Sequence, residues 1–127
     1  NTDEQLLLQA EAEIANFLTK VAAEEHVSIS TRPLARFEPV QFANSVITMV
    51  HDIAVEHGHS VRHMPSGAGH DAQMLARVCP AGMIFVQSRD GISHNAAEYT
   101  SPEDIEAGSN ILLHSMLQMA QLKESFA

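Results

Sequence analysis

The sequence has little of several residue types, and each shortage excludes a class of protein. Its one cysteine, Cys79, leaves no disulfide framework and is typical of a reducing, cytoplasmic location. Seven basic residues stand against sixteen acidic ones, and this net charge of −9 argues against nucleic acid and anionic membranes as partners. The apolar runs are only a few residues long, far below the roughly 20 residues of a membrane helix. No charged-then-apolar secretory start is visible.

What the chain does have is enough apolar sequence for one domain of ordinary size. It contains 127 residues, of which 45% are hydrophobic. Because it begins at Asn1 and not at a methionine, we expect it to be a piece of a longer protein. Eight histidines are many for this length, and they raise the question of a metal site.

Four stretches have apolar residues at the spacings of three and four that predict helices. The first begins at a capping box with Thr2 as N-cap and Gln5 as its partner. The second ends at Gly58, and the last opens at Ser101 with proline and two acids in its first turn. The predicted helices cover about residues 3–25, 42–57, 70–78 and 102–122. In each helix we expect one apolar stripe to face inward: Leu7, Ala10, Ile14, Phe17, Leu18 and Val21 in the first, Phe42, Val46, Val50 and Ile53 in the second, Ala72, Leu75 and Val78 in the third, and Ile105, Leu112, Met116 and Met119 in the last.

Three other stretches are typical of strands. Residues 27–37 alternate, and Pro33 favours an edge position because it cannot donate to a ladder. Residues 60–64 form a short strand, and residues 82–87 are apolar on both faces, as parallel strands are. The pattern of strand, helix and strand from 60 to 87 predicts an α/β fold.

The first candidate site is the loop S-G-A-G-H-D-A at residues 66–72. Gly67, Ala68 and Gly69 would let the backbone take positive φ and come close to a ligand. The loop leads into a helix N-terminus, which attracts anions such as carboxylates, and His70 lies in the first turn. A tight strand-to-helix turn explains the same pattern equally well.

The second candidate is His94 in G-I-S-H-N, which follows the apolar strand. Strand ends in α/β sheets are where ligands bind, although a single loop histidine is more often a surface residue. Glu98 is either its partner or a solvated acid. His59 and His63, four residues apart on a strand, are separated by roughly 13 Å and cannot share an ion. We expect the other histidines, including His51 and His114 in helices, to be exposed or at the edge of the core.

Together the two loops resemble a known family. The order and spacing of S-G-A-G-H-D-A, M-I-F-V, G-I-S-H-N and E-Y-T are similar to the C-terminal part of M20-clan metal-dependent amidohydrolases. The nearest subgroup comprises the N-carbamoyl-L-amino-acid hydrolases, β-ureidopropionases and allantoate amidohydrolases. The resemblance implies that residues 1–38 are the last helix and strand of a lid, or dimerisation, domain. Residues 39–127 would then be the C-terminal part of a Zn-peptidase-like α/β catalytic domain.

The resemblance also implies roles for the two loops. His94 would be a ligand of one of two divalent ions (zinc, manganese, cobalt or nickel) in each full-length subunit. Gly69, with Gly67 and Ala68, would present backbone to a carbamoyl or ureido substrate, and His70 would be a polar contact. Metal-activated water would hydrolyse a linear amide C–N bond. The family commonly forms homodimers through the lid.

Two features separate this chain from the family pattern. Gln87 and Ala96 stand where the family commonly has proline, which would loosen the placement of His94. The family's general base and its remaining metal ligands belong to a segment upstream of Asn1. We therefore expect the chain alone to hold no catalytic residue, to lack the metal pair and to be inactive.

Two other functions compete with this interpretation. A related M20 aminoacylase or peptidase is possible, although such enzymes usually carry a Gly-Thr-Asp type of loop in place of S-G-A-G-H-D-A. A non-catalytic dimerisation module, using the first helix and strand, is the other alternative.

Overall fold

A computed structural model describes residues 3–121 of the chain. The described part contains the helices α1 (Glu4–Glu24), α2 (Asn44–Glu56), α3 (Ala72–Leu75) and α4 (Pro102–Gln121), and a 3₁₀ turn at Arg89–Gly91. Within this part, no helix is both long and apolar enough to cross a membrane. The chain forms two compact units, Asn1–Gln41 with Pro65–Gly69 and Phe42–Met64 with His70–Ala127.

The ends of the helices follow the predicted signals, with one shift. Asp3 caps α1 by accepting hydrogen bonds from the backbone N–H of Gln5 (2.8 Å) and Leu6 (3.3 Å), so the cap lies one residue later than predicted. Thr2 itself lies outside the described residues. Gly58, at φ +79°, ends α2 as predicted. Ser101 caps α4, since its Oγ accepts from the N–H of Asp104 at 3.1 Å.

The three predicted strands are not formed within residues 3–121. Residues 27–37, 60–64 and 82–87 are assigned neither strand nor helix, so the predicted α/β class is not confirmed here. The physical reason is that a strand exists only as part of a ladder of backbone hydrogen bonds. Each segment has strand-like composition, but none of them pairs with another.

In the first unit, α1 is held to the segment that follows it by one arginine. The Arg36 guanidinium lies 2.5 Å from a Glu4 carboxylate oxygen and 2.9 Å from one of Glu11. The hydrogen bonds that Arg36 donates to Glu4 and then to Glu11 raise the pKa of Arg36, so its guanidinium stays charged. No side chain of α1 is buried, and Ile14 and Phe17 are 60% and 63% exposed. The predicted apolar stripe is therefore exposed at Ala10, Ile14 and Phe17 and half-buried at Leu7, Leu18 and Val21.

The second unit has a small core between α2 and α4. Val46, Met49, Ile53 and Ala54 of α2 pack with Ile111 of α4. The helix period explains this, because positions 46, 49 and 53 recur at spacings of three and four along one face of α2. Val46 and Ile53 were predicted to point inward, and they do.

The inner face of α4 differs in part from the predicted one, although Met119 packs against the core as expected. Ile105, Leu112 and Met116 were expected to be buried, but they are 52%, 52% and 60% exposed. Instead Ile111 and Ser115 are buried. The reason is that α4 is apolar on two sides, and α2 covers only one of them.

The segment 80–88 lies against both helices of this core. The N–H of Ala43 donates to the carbonyl of Ala81 at 3.1 Å, just before α2 begins. Gly82 and Gly108 make the approach possible, because a Cβ on Gly82 would meet Val46 and a Cβ on Gly108 would meet Val86. The segment that leads into the His94 loop is therefore fixed at its start.

Replacing Ser115 with alanine is expected to stabilise the chain. Ser115 is 4% exposed, and its Oγ has no hydrogen-bond partner among residues 3–121. Removing a buried, unpaired hydroxyl recovers about 1 kcal/mol of unfolding free energy, measured as a higher midpoint in urea. Ser109→Ala, at an exposed position of the same helix, is the control for helix propensity alone. A lower midpoint for Ser115→Ala than for Ser109→Ala would show that the hydroxyl is bonded.

Candidate functional site

The loop that carries His94 is closed by hydrogen bonds at its base. The N–H of Arg89 donates to the carbonyl of Tyr99 at 2.8 Å, and the Ser88 hydroxyl donates to the carbonyl of Ile92. The Arg89 guanidinium also lies 4.8 Å from the centre of the Tyr99 ring, a cation–π contact. These bonds join the two ends of the loop, so the residues between them, including His94, form a closed loop.

His94 occupies the left-handed region of backbone conformation, at φ +55°. This conformation is uncommon for residues with a side chain, although histidine adopts it more readily than most. The backbone N–H of His94 donates to Glu98 Oε2 at 2.8 Å. Glu98 is thus a partner of the His94 backbone, which decides between the two roles that the sequence left open for it. The imidazole itself is exposed.

The backbone just after His94 forms a hydrogen-bonded turn. The Asn95 side chain accepts from the N–H of Ala97 at 2.9 Å, and the Asn95 carbonyl accepts from the N–H of Glu98 at 3.0 Å. This Asx turn fixes the backbone where the family pattern has proline. The expected loosening of His94 by the two missing prolines stays a prediction.

The described residues do not by themselves make a metal centre. Across residues 3–121, no three histidine, cysteine, aspartate or glutamate side chains come close enough to hold one ion. An exposed imidazole on a hydrogen-bonded loop is suited to be one ligand. A pair of ions needs several more ligands, and residues 3–121 do not bring them together.

The loop at residues 65–69 differs from its predicted conformation. The structure finds φ in the left-handed region at Gly58 and Gly91, but not at Gly67 or Gly69. A Cβ built on either Gly67 or Gly69 would meet nothing within 4 Å. The Ser66 hydroxyl accepts from the N–H of Ala68 at 3.3 Å and stabilises the turn. Neither turn geometry nor packing among the described residues 3–121 therefore requires these two glycines.

His70 has a structural bond that leaves one ring nitrogen available. Its Nδ1 accepts from the N–H of Ala72 at 3.0 Å, so Nε2 carries the proton of the neutral ring. His70 thus caps α3 and keeps an Nε2–H donor for a ligand. The predicted helix of about nine residues is a single turn, Ala72–Leu75, which weakens the expected attraction of an anion to its N-terminus.

Four of the six other histidines form two pairs that spacing in the sequence did not reveal. His63 Nε2 lies 3.1 Å from His51 Nδ1. The ring centres of His57 and His114 are 4.4 Å apart. The two rings lie beside an open groove of about 460 Å³ between α2 and α4. None of the predicted site residues lines that groove. Each pair joins residues from different elements, so spacing along the sequence does not reveal it.

Comparison with known proteins identifies the family. The model of peptidase family M20/M25/M40 matches residues 7–118. The chain belongs to this family. Its M20 relatives include the N-carbamoyl-L-amino acid amidohydrolase of Geobacillus stearothermophilus, 39% identical over 80% of this chain and 25% of the relative. The allantoate amidohydrolase of Bacillus subtilis is 44% identical over 67% of this chain and 21% of the relative. The resemblance read from the two loops is confirmed.

A solved structure agrees with these M20 relatives. An amidase of the hydantoinase/carbamoylase family from Burkholderia vietnamiensis matches with a TM-score of 0.88 and 36% identity. The match covers 98% of this chain and 30% of the Burkholderia chain. The chain spans about a quarter of the length of the curated relatives it matches.

Proposed function

We propose that the full-length protein is an amidohydrolase that cleaves a linear amide C–N bond of N-carbamoyl amino acids or ureido compounds such as allantoate. The observation that carries the proposal is His94, an exposed imidazole on a loop fixed by Glu98 and Asn95. The identity to an N-carbamoyl-L-amino acid amidohydrolase and to an allantoate amidohydrolase supports the same substrate class.

In this proposal each loop has one task. His94 supplies one ligand to a pair of divalent ions, zinc, manganese, cobalt or nickel, which when bound activate water and polarise the carbonyl. Gly67, Ala68 and Gly69 line the space for the substrate, consistent with the absence of any described neighbour within 4 Å of a Cβ built on Gly67 or Gly69. His70 donates Nε2–H to a substrate oxygen while its Nδ1 stays bonded to Ala72.

The proposal extends to the architecture of the full-length protein. We propose that residues 1–38 end a lid domain, and that residues 39–127 complete an α/β catalytic domain. Support comes from the strand-like segments without ladders and from the exposed apolar face of α4, where Ile105, Leu112 and Met116 lie. Strands from the remainder of the catalytic domain would pair with residues 60–64 and 82–87, and the lid's own strands with 27–37. The 127-residue chain alone, lacking a general base, would be inactive.

A substrate panel tests the function. The full-length protein is assayed with N-carbamoyl amino acids, allantoate, N-acetyl amino acids and dipeptides, with the 127-residue chain as the negative control. We expect turnover of a carbamoyl or ureido substrate, lost after chelation and restored by manganese or zinc. Turnover of dipeptides or N-acetyl amino acids alone would favour the aminoacylase or peptidase alternative. A folded full-length protein without turnover on any of the four would favour the dimerisation module.

The proposed homodimer makes a separate prediction about α1. Its predicted apolar stripe, Leu7, Ala10, Ile14, Phe17 and Val21, would be covered by a second copy across a two-fold axis. Burying such a stripe contributes several kcal/mol at roughly 25 cal/mol per Å². Sedimentation equilibrium of the full-length protein should give a dimer that Phe17→Asp dissociates. Thr19→Asp, at another exposed position of α1 and outside the stripe, is the control. A full-length protein that stays monomeric at about 100 μM would contradict the dimer.

A further inference from the structure

Two imidazoles meet where the chain returns past α2. His51 lies in the middle of α2, and His63 lies in the segment that follows the helix. Their Nδ1 and Nε2 atoms are 3.1 Å apart, and the rings meet edge to face at 86° with centres 5.0 Å apart. His51 is half-buried and His63 is exposed, so solvent reaches the pair.

The distance between the two nitrogens is compatible with two ligands of one ion. Metal–imidazole bonds of about 2.0–2.1 Å place nitrogens 3.1 Å apart when the angle at the metal is about 100°. That angle lies between the octahedral and the tetrahedral value. The exposed ring of His63 needs only to turn about its own bonds to direct its lone pair toward the ion and not toward His51.

We propose that His51 and His63 form a two-imidazole binding site for a divalent transition metal such as Zn²⁺ or Cu²⁺. Imidazole is a preferred ligand of both ions, and the order of affinity favours Cu²⁺. Because no third histidine, cysteine or acidic side chain of residues 3–121 joins the pair, water fills the remaining positions. The net charge of −9 favours approach of a cation. The site uses none of the residues of the proposed amidohydrolase loops.

Binding at this site would connect two parts of the second unit. The ion would link α2 to the segment 59–64, which within the described residues is assigned neither helix nor strand. An ion that binds the folded chain and not the unfolded one stabilises the folded state in proportion to the logarithm of its concentration. The bound ion would therefore hold the stretch of chain that leads into Pro65 and the M-P-S-G-A-G loop.

The test uses the 127-residue chain with Zn²⁺ in titration calorimetry and Cu²⁺ in electron paramagnetic resonance. We expect one equivalent of Zn²⁺ with micromolar affinity, and a Cu²⁺ spectrum with hyperfine splitting from two nitrogen ligands. His51→Gln and His63→Gln should each weaken binding at least tenfold. The double variant should be no weaker than either single variant, because one lost ligand already breaks the site.

Matched controls separate this site from the other histidines. His59→Gln changes an exposed histidine of the same segment, and His94→Ala changes the proposed ligand of the amidohydrolase site; both should bind Zn²⁺ like the wild type. Absence of binding in a folded wild-type chain would overturn the proposal. So would equal binding by the wild type and His63→Gln, or loss of binding in the His59 or His94 variant alone. Circular dichroism of each variant verifies that α2 is intact.

Discussion

Replacing His94 with alanine in the full-length enzyme is expected to remove one of two metal ions and to lower kcat by at least about 100-fold. The physical reason is that loss of a residue that only orients a metal ligand already costs about 10- to 100-fold. The fold should be unchanged, since the imidazole is exposed and the loop is held by backbone and Glu98 contacts. Metal content by mass spectrometry and turnover on an N-carbamoyl amino acid measure the two effects.

The control for this variant is His26→Ala. His26 is also exposed and also has a left-handed backbone, at φ +54°, so it reports the effect of losing such a histidine elsewhere. The unfolding free energy of His26→Ala therefore measures the cost of placing alanine in a left-handed backbone, separate from any loss of metal. Glu98→Gln, which keeps an acceptor for the His94 N–H, should retain more metal than Glu98→Ala. Unchanged metal content and kcat in His94→Ala would refute the ligand role.

Replacing Gly69 with valine is expected to lower kcat/KM by about 100-fold while leaving metal content and stability near the wild-type values. Substrate displaced by about 1 Å from its reactive position loses rate on that scale. The chain itself should accept the valine, because a Cβ at Gly69 meets nothing within 4 Å and the backbone there is not left-handed. Any loss of kcat/KM would therefore result from contact between the valine and the substrate, and not from damage to the turn.

Two comparisons complete this experiment. Ser60→Val places the same side chain at an exposed position outside the loop and should leave kcat/KM unchanged. Gly69→Ala, with a smaller side chain, should fall between Gly69→Val and the wild type. Steady-state kinetics on the same carbamoyl substrate and thermal unfolding give both readouts. Wild-type kinetics in a folded Gly69→Val enzyme would mean that the loop serves only as a turn.

Local chemistry in the sequence predicted the helices well. The period of apolar residues, the cap at Ser101 and the stop at Gly58 act within a few residues, so they are legible without the fold. Even so, the single turn of α3 is shorter than predicted. The buried face of α4 also differs, because burial depends on which neighbour covers a helix that is apolar on two sides. Sequence patterns do not contain that neighbour.

The candidate site was predictable in part. The G-I-S-H-N motif singled out His94, and the motif order identified the M20 family, which the family match over residues 7–118 confirms. Only the structure showed the role of Glu98. From the sequence, its carboxylate was equally suited to a bond with the His94 loop and to exposure to solvent. The sequence did not reveal the pairing of His51 with His63, because twelve residues separate them. Residues 60–64 were also predicted to be an extended strand, which gave no reason to place His63 beside α2.

The sequence by itself determined the helix positions, the family and the identity of the loop histidine, because these depend on local periodicity and on residue order. Only the tertiary structure decided that the strand-like segments are unpaired within residues 3–121, which face of α4 is buried and which histidines meet. These properties depend on contacts between segments that are distant along the chain. Residues 27–37, 60–64 and 82–87 show the physical reason clearly: their composition favours strands, but a strand also requires a second chain segment to complete its hydrogen bonds.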